Sequence, residues 1–228
     1  LQNRSNRIHP HKDDKILTSW NGLMIAALAK AFRILGNSAY IRAAEKAMNF
    51  ILTRLRRADG RLMARYRHGE AAYPAYADDY AFIVWALLEL YEATFNPDYL
   101  RLALEFNRDL LRLFWDEREG GLFFYGSDVE EEILRPKEVY DGSTPSANSI
   151  TAMNLVRLSR MTDSPELEEK ASQLLTAFAS TVKQYPAVYS ALLTAAMYLL
   201  YPSREIIVVG EKDNREAKKM LELINASF

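Results

Sequence analysis

Two pairs of adjacent aspartates, Asp13-Asp14 and Asp78-Asp79, each stand just before a long apolar run, with Trp20 after the first and Tyr76 and Tyr80 around the second. A third polar stretch, "DGSTPSANS" from Asp141 to Ser149, precedes another apolar run. Carboxylates flanked by aromatic rings suit sugars, whose C–H faces stack on rings while their hydroxyls bond Asp, Asn and Lys. Two carboxyl groups across one cavity can act as general acid and base. On this reading Asp14, Asp79 and Asp141 are the acid/base candidates. Asp13, Lys15, Trp20, Asn21, Tyr76, Asp78, Tyr80, Ser146 and Asn148 are the candidates for binding substrate, with Trp20, Tyr76 and Tyr80 as stacking platforms. The same residue types also start helices and make turns without any catalytic role. Asp78 and Asp79 suit a cap and first turn, and Asp141-Gly142 and Thr144-Pro145 suit a turn. Recurrence at matching points of the chain is what favours a shared lining.

His9 and His11 sit two apart, next to Asp13 and Asp14, and invite a metal reading. No helical metal-ligand spacing supports it, so no metal is expected. His68, in "RYRHGE", reads as a loop residue. Gly210 stands alone after a short apolar run, which is no dinucleotide fingerprint, and no cofactor is expected.

The elements that must position these residues alternate in character. Helices over about 19–35, 79–95 and 147–161, and one from about 187, are apolar nearly all round and read as buried. Between them, helices over about 38–56, 96–115 and 164–183 are amphipathic and half-exposed. Asn96-Pro97 and Ser164-Pro165 are start signals, and Gly36 suits a C-terminal cap. Buried and amphipathic helices in alternation describe hairpins with one helix inside and one outside, repeating every 40 to 70 residues or so. "RLMARYRHG" and "EGGLFFYGS" read as strands inserted after outer helices, and "REIIVVG" as a buried strand before a last helix. The expected fold is mainly α: an (α/α) toroid with short β insertions. About three and a half hairpins plus a strand-helix tail form one partial domain over residues 1–228, with an open helical solenoid as the alternative. In a toroid the N-termini of the inner helices meet at one rim, where all three polar clusters fall.

Composition narrows the class. Of 228 residues, 49% are hydrophobic and 26% charged, an ordinary globular balance. Lys and Arg number 29 against 30 acids, which argues against nucleic acid as a partner. The longest apolar runs are too short for a membrane span. Cysteine is absent, which excludes disulfides, thiolate catalysis and Cys-based zinc sites. A cytoplasmic setting is expected, and the start at Leu1 suggests a piece of something longer.

"PHKDDKILTSWNGLMIAALAKA", "YADDYAFIVWALLELYEATF", "FWDEREGGLFF" and "DGSTPSANSITAMNLVRLS" together resemble the thioredoxin-domain-containing family related to spermatogenesis-associated protein 20. The resemblance runs over nearly the whole chain. It implies a thioredoxin-like domain followed by a six-hairpin toroid similar to N-acylglucosamine 2-epimerases and six-hairpin glycosidases, with the thioredoxin-like part and the first hairpins outside this chain. The residues that match its motifs are Asp13, Asp14, Lys15, Trp20, Asn21 and Gly22, then Asp78, Asp79 and Tyr80, then Asp141, Gly142, Pro145, Ser146 and Asn148. The 2-epimerases use inner-helix histidines as their acid/base pair. The buried helices here contain none, which disfavours that mechanism and leaves a carboxylate mechanism open. The leading expectation is a sugar or oligosaccharide cavity with isomerase or glycosidase-like chemistry. Its rivals are a non-catalytic scaffold for a thioredoxin-like domain and a helical-repeat module that binds a peptide.

Overall fold

The computed structural model of the protein describes residues 7–8, 12–129, 135–202, 206–211 and 214–226, with 225 and 226 described by backbone alone. Eight α-helices follow in order: α1 Thr18–Leu35, α2 Ser38–Arg54, α3 Ala77–Thr94, α4 Pro97–Phe114, α5 Ala147–Thr162, α6 Pro165–Gln184, α7 Ser190–Leu200 and α8 Arg215–Ala226. A 3-10 turn at Pro186–Val188 leads into α7. Three short strands, β1 Ile16–Leu17, β2 Met63–Arg67 and β3 Glu70–Pro74, form an antiparallel sheet in that order.

Local chemistry sets the boundaries. Gly36 takes a left-handed φ of 69° and closes α1 through its N–H to the Phe32 carbonyl. Asn37, Asn96 and Ser146 cap α2, α4 and α5 by accepting from the N–H groups of Ala39, Asp98 and Ser149. Helices α1, α3, α5 and α7 pack side by side, each against the next, while α2, α4 and α6 each pack behind the inner helix that precedes them. The last helix, α8, returns to lie against α1. Helix α3 has neighbours on most sides, so nearly all of Tyr80–Leu90 is buried, as an all-round apolar helix requires. Gly22 lets α1 come close to α3: a Cβ there would stand 2.9 Å from the Phe82 backbone carbon.

Three expectations change. The stretch 119–127 forms no strand; a single bridge between Trp115 and Leu122 closes the turn. The reason lies in its N–H groups, which scatter to unrelated acceptors: Leu122 to the Asn148 side chain, Phe123 to Phe114 and Phe124 to Pro136. Residues 206–209 also form no strand, and Ile207 and Val209 are 81% and 91% exposed, with no sheet edge to pair with among the described residues. Finally, α1 and α7 are not buried all round. Trp20, Met24 and Ile34 on α1 and Met197, Tyr198 and Leu200 on α7 are exposed, because each end helix of the row has an inner neighbour on one side only. The strand at β2 forms as expected, turning into β3 through His68 and Gly69, both at positive φ. Among the described residues no helix is long and apolar enough to cross a membrane.

Candidate functional site at the rim of the inner helices

Carboxylates tie the inner helices together at their N-terminal ends. Asp79, in the first turn of α3, accepts from the Ser19 N–H of α1 at 2.8 Å and from the Tyr76 N–H at 2.9 Å, one bond to each oxygen. Its neighbour Asp78 turns the other way and accepts from the Ala147 N–H of α5. Asp141 accepts from the Ser146 N–H at 3.0 Å and, through its other oxygen, from Ala191 at 2.9 Å and Leu192 at 3.3 Å in the first turn of α7. Each bond satisfies a helix-start N–H that has no partner within its own helix, and places negative charge where the helix dipole favours it.

The two members of the Asp78-Asp79 pair differ in access. Asp79 is 2% exposed, and burial pushes its carboxyl up to about 7 against the opposing pull of its two N–H donors. Asp78 is half-buried; burial raises it to about 6, with the nearby Glu138 charge adding to the rise and the Ala147 N–H opposing it.

The other expected residues divide into three groups. Tyr76, Ser146 and Asn148 stand with the clamps. The Tyr76 ring stacks on Phe124 with centroids 5.1 Å apart. Ser146 caps α5. Asn148 is a buried brace rather than a substrate contact: it accepts from the Leu122 N–H at 2.7 Å and donates to the carbonyls of Leu122 and Glu138 at 3.0 and 2.7 Å. Asp13, Asp14 and Lys15 lie to the side, on the approach to β1. Lys15 pairs with Asp13 at 3.2 Å and Arg67 of β2 with Asp14 at 2.5 Å, and these bonds hold both carboxyls below the usual range. Trp20 is 66% exposed on α1, and Asn21 bonds back to the Leu17 carbonyl.

Tyr80 is the plain correction. It is fully buried, its hydroxyl accepts from the Leu62 N–H, and its ring packs against Phe106, Phe114 and the Arg61 guanidinium. No face is left for a ligand. The acid/base roles expected of Asp79 and Asp141 also sit poorly with this geometry, since both oxygens of each already accept backbone N–H groups. His9 and His11 lie outside the described residues.

Sequence reasoning missed two features. One is Glu138, held beside Asp78 by Asn148. The other is a charged cluster inside the row of inner helices. Arg157 on α5 donates to Glu89 at 2.8 Å and to Glu92 at 2.6 Å, both on α3. Arg33 on α1 pairs with Glu92 and lies 3.6 Å from Glu89, and the Trp85 indole N–H donates to Glu89 at 3.1 Å. Burial alone would raise the Glu92 carboxyl, but Arg157 and Arg33 outweigh it and hold it below the usual range. The signal was there to read: isolated charges in otherwise apolar helices must find partners across the helix interface.

Solved structures of low sequence identity share this architecture. Cellobiose 2-epimerase from Bacillus thermoamylovorans matches at 15% identity over 95% of this chain and 62% of its own, with a TM-score of 0.67. A family 76 α-mannanase from Bacteroides thetaiotaomicron matches at 14% over 95% of this chain and 59% of its own, with a TM-score of 0.66. The fold is therefore an (α/α) toroid of the glycosidase and epimerase class. In sequence, the homologues of this chain are the spermatogenesis-associated protein 20 proteins. The human protein is 31% identical over 238 aligned residues, covering 100% of this chain. The chain spans about 30% of the length of that relative. No family model matches the chain.

Proposed function

We propose that this chain is part of a carbohydrate-processing toroid whose mouth is the rim at the N-termini of α1, α3 and α5. In this reading Asp78 is the proton donor. The observation that carries it is the contrast within the pair: Asp79 spends both oxygens on backbone N–H groups, whereas half-exposed Asp78 stays protonated up to about pH 6 beside the Glu138 charge. An acid poised near working pH is what proton transfer to a glycosidic or ring oxygen needs. Tyr76 and the exposed Trp20 flank this rim as stacking surfaces. The solved toroids of similar shape include enzymes titled as epimerases and a mannanase, which supports a saccharide as the ligand class.

The test is turnover of a saccharide panel by the full-length protein and its Asp78→Asn variant. Turnover should show an acid-form dependence, falling as pH rises past about 6, and should drop by a factor of roughly 100 or more in the variant. A variant with the parental rate removes Asp78 from the mechanism.

A second reading is favoured by the clamps themselves. Asp79 and Asp141 are fully used in joining helices, as they would be in a toroid that only carries a thioredoxin-like domain of the longer protein. Full redox activity in a protein whose Asp78→Asn variant is unimpaired in every assay supports that reading.

A further inference from the structure

The half-exposed stripe of α3 runs inward from the rim. Asp78, Trp85, Glu89 and Glu92 recur seven, four and three residues apart, which puts all four on one helix face, while α4 packs against α3 from the outer layer. Arg33 from α1 and Arg157 from α5 close on the same glutamates from either side.

We propose that Trp85, Glu89, Glu92, Arg33 and Arg157 form the floor of the saccharide site and select a neutral sugar ring over an anionic one. This rests on the saccharide reading above. The Trp85 indole is locked in rotation by its N–H bond to Glu89, so its partly exposed ring is a fixed platform for the apolar face of a sugar. The Glu92 and Arg33 side chains are 26% and 25% exposed and present an acceptor and a donor to ring hydroxyls. Two arginines are balanced by two glutamates, so the cluster carries no net charge. An anionic sugar could take an arginine only by breaking an Arg–Glu pair and leaving a buried carboxylate uncompensated. A neutral ring needs only to replace water.

Ligand-observed NMR titration of the full-length protein with glucose, mannose, cellobiose and glucuronate tests the proposal. Thermal melts of each variant report folding. The parent protein should bind at least one neutral sugar about tenfold or more tighter than glucuronate. Glu92→Gln gives the cluster one net positive charge and should shift the preference toward glucuronate. Arg33→Gln gives it one net negative charge and should shift the preference further toward neutral sugars. A purely structural role would not produce opposite shifts from these two variants, and either one that folds is enough to read the effect. Equal binding of neutral and acidic sugars by the parent, or an unchanged preference in a folded variant, overturns the floor and leaves the saccharide reading standing. Binding of no sugar by the parent protein overturns the saccharide reading, and the floor with it.

Discussion

Asp78 and Asp79 bind their protons more tightly in the folded protein than an ordinary aspartate at 3.8 does, Asp78 to about 6 and Asp79 to about 7. The stability they contribute is therefore complete below about pH 4 and is lost as pH rises through those folded values. Asp116, Asp128 and Glu92 are held below their usual range and work in the opposite sense, losing stability in acid. The melting temperature should pass through a maximum in mildly acidic solution and fall between pH 5 and 8, and Asp78→Asn should flatten the part centred near 6. A melting temperature that climbs steadily from pH 5 to 8 contradicts this. Removing the Asp79 carboxyl has a separate effect. Asp79→Ala strands the Ser19 and Tyr76 N–H groups at the junction of α1 and α3, and should cost roughly 2–4 kcal/mol in urea unfolding.

At the scale of elements, close packing of α1 on α3 depends on one missing methyl group. Gly22→Ala brings a Cβ against the Phe82 backbone, which cannot rotate away, and should cost about 1–3 kcal/mol. The central charged cluster joins three inner helices, and Arg157→Ala leaves Glu89 and Glu92 with one arginine between them. That loss should cost about 3–5 kcal/mol, a difference equilibrium unfolding resolves easily. The elements themselves were legible wherever the signal is local. Asn96-Pro97, Ser164-Pro165 and Gly36 mark helix ends to within a residue or so, and alternating burial separates inner helices from outer ones. What was not legible depends on partners far along the chain. The β3 strand exists because β2 gives it an edge, and 119–127 fails as a strand because Asn148 takes the Leu122 N–H. Tyr80 looks like a cavity aromatic beside its two aspartates, yet its helix position turns it into the core. The rim was found because polar residues recur before inner helices, but which aspartate keeps a free hand depends on which backbone N–H groups lie within reach.

For the whole molecule, the ends of the row are its least satisfied surfaces. Trp20, Met24 and Ile34 at one end and Met197, Tyr198 and Leu200 at the other leave apolar area exposed. Residues 1–228 expressed alone should therefore self-associate in light scattering as concentration rises, and a monodisperse monomer counts against this. The toroid fold puts the N-termini of α1, α3, α5 and α7 on one rim, and the bonds of Asp78, Asp79 and Asp141 hold that rim together while one of the three stays half-open. The most direct test is proton NMR in deuterium oxide of a mixed sugar and oligosaccharide panel, incubated with the full-length protein and, in parallel, with its Asp78→Asn variant. Loss of a C2 proton signal or growth of new anomeric signals, present in the parent and absent in the variant, is the expected result. A silent panel, or equal turnover by both proteins, contradicts the account.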